Sequence, residues 1–437
     1  MKKILLAALL ISSGAFAQTG GWDLRTCINY ALDNNISVKQ SRISVEQKEI
    51  DLNTAKNSRL PSVSGGASQN FSFGRGLNED NLYVNTNTTS TSFSLGANVP
   101  IFQGFEISNG IKMSELDLAA ATEDLEKAKD DIRVAVAQAF VQILYSREIA
   151  SVARNQVELD SMQVERISAM MANGKASSAE LAAQQASLAQ SRLSETQARN
   201  NFSLAILEMT QLLELPSPEG FGISYPDPDK FDLKLLMNPE EIYAEAVNIK
   251  PAIQSQKLRL DYAGININRA KGGYLPTLSL SGGVGSNYYT SSGYPSKPFG
   301  EQLSNNFSQY IGLSLNIPVF SRFSVRNQVK SAKLSYDNQQ LQLENTKKAL
   351  YKEIQQAYYN AVASQSKQLS SKEAASSAKH AFTLVTEKYE NGKANITEYN
   401  ESKNRYLEAE SNFLQARYEC LYQTSLLDFY RGKELDF

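Results

Sequence analysis

The sequence contains few of the side chains that most often carry metal, redox or nucleophilic chemistry. Its 437 residues include one tryptophan, one histidine (His380) and two cysteines, Cys27 and Cys420. Such a chain supplies too few histidine and cysteine side chains for a typical metal centre or a histidine-based triad. His380 stands in an Ala-Lys-His-Ala segment of predicted helix, where a solvent-exposed face is its ordinary place. We therefore predict a protein that is not an enzyme and that has no cofactor and no metal site.

The two cysteines leave two interpretations open. In an oxidising compartment, Cys27 and Cys420 could form a disulfide. As unpaired residues they would behave as small buried hydrophobic side chains. The sequence does not place their two segments relative to each other, so it does not decide between these interpretations.

A large excess of one charge and long hydrophobic runs are also absent. Lys and Arg together number 44 and Asp and Glu 46, which gives a net charge of −2 without a basic stripe. This balance argues against nucleic acid as a partner. After the N-terminal segment, no stretch approaches the roughly 18 uninterrupted apolar residues that a transmembrane helix needs. A polytopic helical membrane protein is therefore excluded.

The N-terminal segment has the three parts of a secretory signal peptide. Lys2 and Lys3 form the charged region, residues 4–11 form a short apolar core, and Ala15-Phe16-Ala17 is an A-x-A cleavage site. We predict cleavage after Ala17 and export from the cytoplasm. The first cysteine, Cys27, lies ten residues beyond Ala17, so lipid attachment is not expected.

Proline is missing from two long stretches of the chain. All twelve prolines lie outside residues 101–215 and 319–437. Because a proline in a helix interior costs about 3 kcal/mol, these stretches are predicted to be long helices. Apolar residues recur in both at every seventh position, which favours a left-handed coiled coil. They are Ile111, Leu118, Leu125, Ile132 and Ala139 and, each 218 positions further on, Val329, Tyr336, Leu343, Leu350 and Ala357.

The chain after the signal peptide is an internal duplication. Ala270-Lys271-Gly272-Gly273-Tyr274-Leu275-Pro276 matches residues 55–61, and Asn391-Gly392-Lys393-Ala394 matches residues 173–176. The predicted divisions are a signal peptide (1–17), a first repeat (18–215), a linker (216–240) and a second repeat (241–437). Each repeat is predicted to contain a helix, a strand hairpin (61–100 or 276–318) and a long helical hairpin (105–213 or 323–430).

The predicted strands alternate apolar and small polar residues. Val63, Phe71 and Phe73 share one parity, while serines occupy the other. The same alternation recurs around Phe93 and Leu95 and in the second repeat. A period of two, with one apolar and one polar face, suits a membrane β-barrel strand. It equally suits a half-buried strand of a soluble sheet, and the strand pattern alone leaves both open.

The order of these elements resembles the outer-membrane efflux protein family, also called the TolC family. The resemblance covers essentially the whole mature chain. Each motif is weak alone, but their order and duplication are specific. The motifs are the Leu-Pro strand entries (Leu60-Pro61, Leu275-Pro276), the Pro-x-Phe strand exits (Pro100-Ile101-Phe102, Pro318-Val319-Phe320), the Asn-Gly-Lys tip turns, and the opening Leu24-x-x-Cys27-Ile28-x-x-Ala31-Leu32.

The resemblance implies a particular fold and assembly. The fold class would be a mixed α/β membrane protein in which long helical hairpins form an α-barrel. Four strands per protomer would join a shared twelve-stranded β-barrel of a homotrimer, which removes every unpaired strand edge from the lipid. The partners would be outer-membrane lipid, a periplasmic adaptor and an inner-membrane pump. The protein would lie in the Gram-negative outer membrane and extend into the periplasm.

The resemblance also implies a pore constriction at the second tip. Counting from Gly392, the acidic pore positions of the family fall on Glu398 and Glu401. They are three residues apart and so share a helix face. Three copies would bring six carboxylates together, a ring that favours cations. Each residue also has an ordinary alternative: Glu398 can form a capping box with Asn395, and Glu401 can stand on a solvated face.

Adaptor contact and hinge positions follow from the same resemblance. Some family members carry an arginine two residues after the tip glycine, which ties the closed tip. Here Ala394 stands there, so Lys175 or Lys393, paired with Glu180, would have to substitute. The predicted tip contacts are Asn173, Gly174, Lys175, Ala176, Asn391, Gly392, Lys393 and Ala394. The predicted strand hinges are Pro61, Pro100, Pro276 and Pro318.

The sequence thus predicts the exit duct of a tripartite efflux system, which conducts small molecules passively. A duct for type I protein secretion shares the architecture and is the first alternative. A soluble periplasmic coiled-coil scaffold or adaptor is the alternative from another class. The cargo and the resting state of the tip are not encoded in any motif found here.

Overall fold

The computed structural model describes residues 21–77, 82–225 and 235–435. The predicted signal peptide and its cleavage site lie outside these ranges. The helices within them are α1 (Leu24–Asn34), α2 (Ile36–Asn57), α3 (Glu106–Ala172), α4 (Ser178–Leu212), α5 (Pro239–Ile249), α6 (Pro251–Gly272), α7 (Phe299–Asn305), α8 (Ser324–Glu390) and α9 (Ile396–Tyr430). The strands are β1 (Ser62–Leu77), β2 (Tyr83–Gln103), β3 (Thr277–Ser291) and β4 (Ser308–Asn316). The predicted mixed fold of long helices and four strands is confirmed.

Local side-chain bonds fix where the helices begin. The Asp23 carboxylate accepts a hydrogen bond from the Thr26 amide and caps α1. Ser177 and Glu180 form a capping box at the start of α4. Such caps satisfy amide donors that the first turn of a helix leaves unpaired.

The chain forms two compact units, and each draws on both repeats. Among the described residues, the first unit comprises 21–40, 126–225, 235–250 and 348–435, and the second comprises 41–77, 82–125 and 251–347. The core of the first unit surrounds Phe140 of α3 and Met209 of α4. Cys27 belongs to this core, and Cys27 and Cys420 are both buried free thiols. Burial raises the pKa of Cys27 to about 12, so this thiol stays protonated and unreactive.

In the second unit, parts of four helices form one layer in the order α2–α3–α6–α8. Lys48 of α2 pairs with Asp117 of α3 at 2.8 Å. Arg259 of α6 pairs with Asp124 of α3 at 2.6 Å. Gln339 of α8 donates a hydrogen bond of 2.7 Å to Gln256 of α6. Helices α2 and α8 are therefore the two outer members of the layer.

The sheet of the second unit is antiparallel, in the order β1-β2-β3-β4. Paired residues in adjacent strands lie on the same face, and several pairs join two apolar residues. Leu95 of β2 opposes Val284 of β3, and Leu280 of β3 opposes Leu313 of β4. The opposite face carries small polar residues, for example Ser68 beside Ser92 and Ser279 beside Ser314. The predicted alternation thus gives a mainly apolar face on one side of the sheet, and much of it is exposed.

Pro100 does not end its strand, contrary to the sequence-based prediction. Strand β2 continues to Gln103, and its pairing with β3 slips by one residue between Pro100 and Phe102. Ile101 is the residue left out of the pairing, and the interrupted ladder beside it accommodates Pro100 within the strand. The other three predicted hinge prolines stand just outside strands: Pro61 before β1, Pro276 before β3 and Pro318 after β4.

Gly104 and Gly272 allow two backbone segments to touch within the second unit. A Cβ on Gly272 would lie 2.3 Å from the Gly104 carbonyl oxygen, and Gly104 has φ +58°. We predict that Gly272→Ala lowers the free energy of unfolding by about 1–3 kcal/mol, because the backbone must move to admit the methyl group. Gly110→Ala is the matched control, since open space surrounds Gly110 in α3. Chemical denaturation of both variants checks this, and an equal effect in both would contradict it.

Candidate functional site

The turn between α8 and α9 forms the predicted second tip. Gly392 has φ +69°, and the Lys393 amide donates to the Lys388 carbonyl at 2.7 Å, which closes the end of α8. The Asn391 side chain donates to the Glu387 carbonyl at 2.7 Å. Gly392 is needed for its positive φ. Asn391, Gly392 and Lys393 are exposed and Ala394 is half-buried.

The first tip repeats this geometry. Gly174 has φ +71°, and the Lys175 amide donates to the Met170 carbonyl at 2.8 Å. The Asn173 side chain donates to the Ala169 carbonyl at 2.8 Å. Ala176 is half-buried, as Ala394 is. The duplicated sequence therefore folds into a duplicated turn, and both turns leave a lysine side chain in solvent.

Glu398 is exposed in the first turn of α9, where its bonds are local. Its amide donates to the Asn395 side-chain oxygen at 2.9 Å. Its carboxylate accepts from the Asn395 side-chain amide at 3.2 Å, rather than from the Asn395 backbone. The predicted capping box is therefore only half formed. The carboxylate stays near the helix N-terminus, where negative charge is favourable.

Glu401 is also exposed, one turn further along α9. Arg405 donates to its carboxylate at 2.6 Å, an i,i+4 pair that the sequence analysis missed. The four-residue spacing of Glu401 and Arg405 on one helix is the sequence signal that indicates such a pair. Both side chains are mostly exposed, so the pair contributes little to stability. Its electrostatic effect is more relevant, since Arg405 offsets part of the negative charge that Glu398 and Glu401 present on this face.

A buried polar layer lies deeper in the first unit. The Lys403 ammonium of α9 contacts the Asp160 carboxylate of α3 at 2.5 Å, and both side chains are 1% exposed. Gln184 and Ser191 of α4 donate to the same carboxylate at 3.1 and 2.5 Å. Burial, with the nearby Asp160 charge, raises the pKa of Tyr399, so that phenol stays neutral beside this layer. Sequence reasoning missed the layer, because Lys403 reads as an ordinary surface lysine.

The described residues give no support to other kinds of site. Within them, no group of three or more His, Cys, Asp and Glu side chains is placed to hold a metal ion. None of the helices in those same ranges combines the length and the hydropathy needed to cross a bilayer.

Family comparison identifies the class of protein. The family model for outer membrane efflux proteins matches residues 27–213 and 242–431, which is most of the chain. The protein therefore belongs to the outer membrane efflux protein family. The two matched segments correspond to the two halves of the duplication.

Individual relatives are distant but span nearly the whole chain. Outer membrane protein TolC of Escherichia coli K12 is 23% identical over 427 residues, covering 96% of this chain and 84% of TolC. Outer membrane efflux protein BepC of Brucella suis is 21% identical, covering 96% and 88%. The toxin and drug export protein A of Aggregatibacter actinomycetemcomitans is 19% identical, covering 91% and 83%.

Solved structures share the fold. The CmeC outer membrane channel of Campylobacter jejuni has a TM-score of 0.80 at 19% identity, covering 95% of this chain and 87% of CmeC. VceC of Vibrio cholerae has a TM-score of 0.76 at 15% identity, covering 94% and 96%.

Proposed function

We propose that this protein is the outer-membrane exit duct of a tripartite efflux system. Family membership supports this function, and the apolar face of the sheet is the observation that carries it. A four-stranded sheet with one mainly apolar, exposed face suits lipid on that side and water on the other. The protein conducts cargo passively, and energy comes from an inner-membrane pump coupled through a periplasmic adaptor.

The assembly is a homotrimer formed head to tail. Strands β1 and β4 are the edges of the sheet, and α2 and α8 are the edges of the helical layer. Exposed apolar residues follow a heptad spacing on both outer helices: Ile43 and Ile50 on α2, Leu334 and Leu341 on α8. Two different faces that complement each other produce a ring rather than an isologous dimer. Three copies then close a twelve-stranded barrel without an unpaired edge in lipid.

The duct narrows at the second tip, where Glu398 and Glu401 line the constriction. Their shared exposed face on α9 supports this placement. Rings of carboxylates favour cations and hinder anions. Arg405, paired with Glu401, moderates the field, so the selectivity for cations is weaker than six unpaired carboxylates would give.

The tips of both hairpins bind the adaptor. The exposed turns at 173–176 and 391–394 carry Lys175 and Lys393, which suits an adaptor surface with acidic side chains. Of the predicted hinge prolines, Pro61, Pro276 and Pro318 lie between a strand and a helix, and Pro100 lies in β2 three residues before its end. Protein secretion is the second candidate function. The name of one relative, toxin and drug export protein A, supports it.

Single-channel recording of the detergent-purified protein in a planar bilayer tests this function. We expect a small conductance that favours cations and that rises in the double variant Glu398→Ala/Glu401→Ala, because the constriction loses its charge and bulk. If the double variant has the conductance and selectivity of the wild type, the constriction lies elsewhere. No insertion at all, with the protein recovered in the soluble fraction, would favour the periplasmic scaffold.

A further inference from the structure

The Asp160–Lys403 pair joins the two helical hairpins of the first unit. Asp160 belongs to α3 and accepts bonds from Gln184 and Ser191 of α4, so it is held by the first hairpin. Lys403 belongs to α9 in the second hairpin. Asn400, one turn before Lys403, adds a second link by donating to the Gln184 side chain at 3.2 Å. By contrast, the Lys367–Glu419 pair joins α8 to α9 within one hairpin, and its side chains are 47% and 42% exposed.

Stability alone does not account for this layer. Burying two charges costs desolvation energy, and well-packed apolar residues in their place are often as stabilising. The layer is also incompletely bonded: Gln156 Oε1 and Asn400 Oδ1 are buried without a hydrogen-bond partner in the described structure. The best-attested use of such a polar contact between helices is to fix one register, since any shift of either helix leaves the charges unpaired.

The position of Lys403 on α9 links the layer to the predicted constriction. At 3.6 residues per turn, Glu401 lies about 200° around the helix from Lys403, and Glu398 about 140°. Both glutamates are thus on the side of α9 opposite Lys403. The burial pattern agrees, because Tyr399 and Lys403 are buried while Glu398 and Glu401 are exposed.

We propose that the buried Asp160–Lys403 pair is the positioning joint of the second tip. It fixes the rotation and the axial register of α9 against α3 and α4. In doing so it directs Glu398 and Glu401 away from the first hairpin. Lys403 is therefore a positioning residue for ion selection, although it does not contact the lumen. The inference rests on the proposed function, because it concerns the two residues of the predicted constriction.

The test compares Lys403→Met with Lys367→Met in the full-length protein. Lys403→Met keeps the length of the side chain and removes its charge, so Asp160 is left buried and unpaired. Lys367→Met makes the same chemical change at the exposed pair with Glu419 and is the matched control. Asp160→Asn is the second variant, which keeps the shape of the side chain but removes its charge and replaces one acceptor oxygen by an amide donor.

Two measurements are made on each protein. Spin labels on Asn404→Cys of α9 and Gln190→Cys of α4, in a background with Cys27 and Cys420 replaced by alanine, report the distance between the helices. Both labelled positions are exposed. Bilayer recording reports the selectivity for cations over anions.

We expect Lys403→Met to broaden the distance distribution and to lower the cation selectivity severalfold, although both glutamates remain. Lys367→Met should leave both readouts unchanged. If Lys403→Met fails to fold, Asp160→Asn decides by the same readouts. If folded Lys403→Met or folded Asp160→Asn has the wild-type distances and selectivity, the pair does not position the second tip and the proposal is wrong. Wild-type protein that forms no pores would instead refute the proposed function, and the distances would still decide the joint.

Discussion

Replacing Ile43 and Ile50 together by aspartate is expected to abolish the trimer. Their side chains are 63% and 60% exposed in the single chain and lie seven residues apart on an outer helix of the layer. Leu334 and Leu341, 69% and 64% exposed, lie seven apart on the other outer helix. Burying such a side chain contributes about 1.5–3 kcal/mol, and the seam recurs three times in a trimer. Two negative charges facing two leucines at each seam would remove that gain and add a desolvation cost.

The oligomer band on mild-detergent gels, before and after heating, measures this effect. Arg42→Gln/Ser44→Asp changes the net charge of α2 by the same two units at exposed positions about 100° around the helix from Ile43, and should keep the trimer. Leu334→Asp/Leu341→Asp should reproduce the loss from the opposite side of the seam. A trimer that survives aspartate at Ile43 and Ile50 would show that this face of α2 is not an interface.

Lysine at Leu313 is expected to prevent stable membrane insertion. Leu313 lies in β4 on the apolar face of the sheet and is 69% exposed. A lysine facing lipid near the middle of a bilayer costs about 2–4 kcal/mol, and each of three protomers would incur that cost. The amount of heat-modifiable trimer in the outer-membrane fraction measures the effect.

The neighbouring residue provides the control for this variant. Ser314 follows Leu313 in the same strand and therefore points to the opposite face, where it pairs with Ser279. Ser314→Lys would face the water-filled side and should insert normally. Equal loss of insertion in both variants would mean that the sheet does not have a lipid side and a water side, which contradicts the barrel.

Much of the fold could be predicted because its determinants are local. The absence of proline from the helical arms, the Asp23 and Ser177 caps and the alternating strands each depend on neighbouring residues. The bulge after Pro100 could not be predicted, because it depends on the register with β3. Helix α7, which lies between β3 and β4, has only seven residues and no regular apolar pattern, so its sequence reads as loop.

The candidate site likewise has a part that could be predicted from the sequence and a part that could not. The tip turns were predictable, because Asn-Gly at two matched positions requires a positive φ at each glycine. The pairing of Lys403 with Asp160 was not, because the two residues are 243 positions apart and belong to different repeats. A buried lysine cannot be recognised in a polar helix until the facing carboxylate is placed. The roles of Glu398 and Glu401 remain predictions from the family resemblance.

Labelling of engineered cysteines in intact cells tests the central claim, an outer-membrane duct, most directly. Ser296→Cys places a thiol in the exposed loop between β3 and β4, and Lys393→Cys places one at the second tip. The native cysteines are buried and give little background. With a charged maleimide that does not cross the outer membrane, we predict that Ser296→Cys reacts in intact cells, whereas Lys393→Cys reacts only after the outer membrane is permeabilised. If both thiols react only after permeabilisation, the protein does not reach the cell surface and the account is wrong.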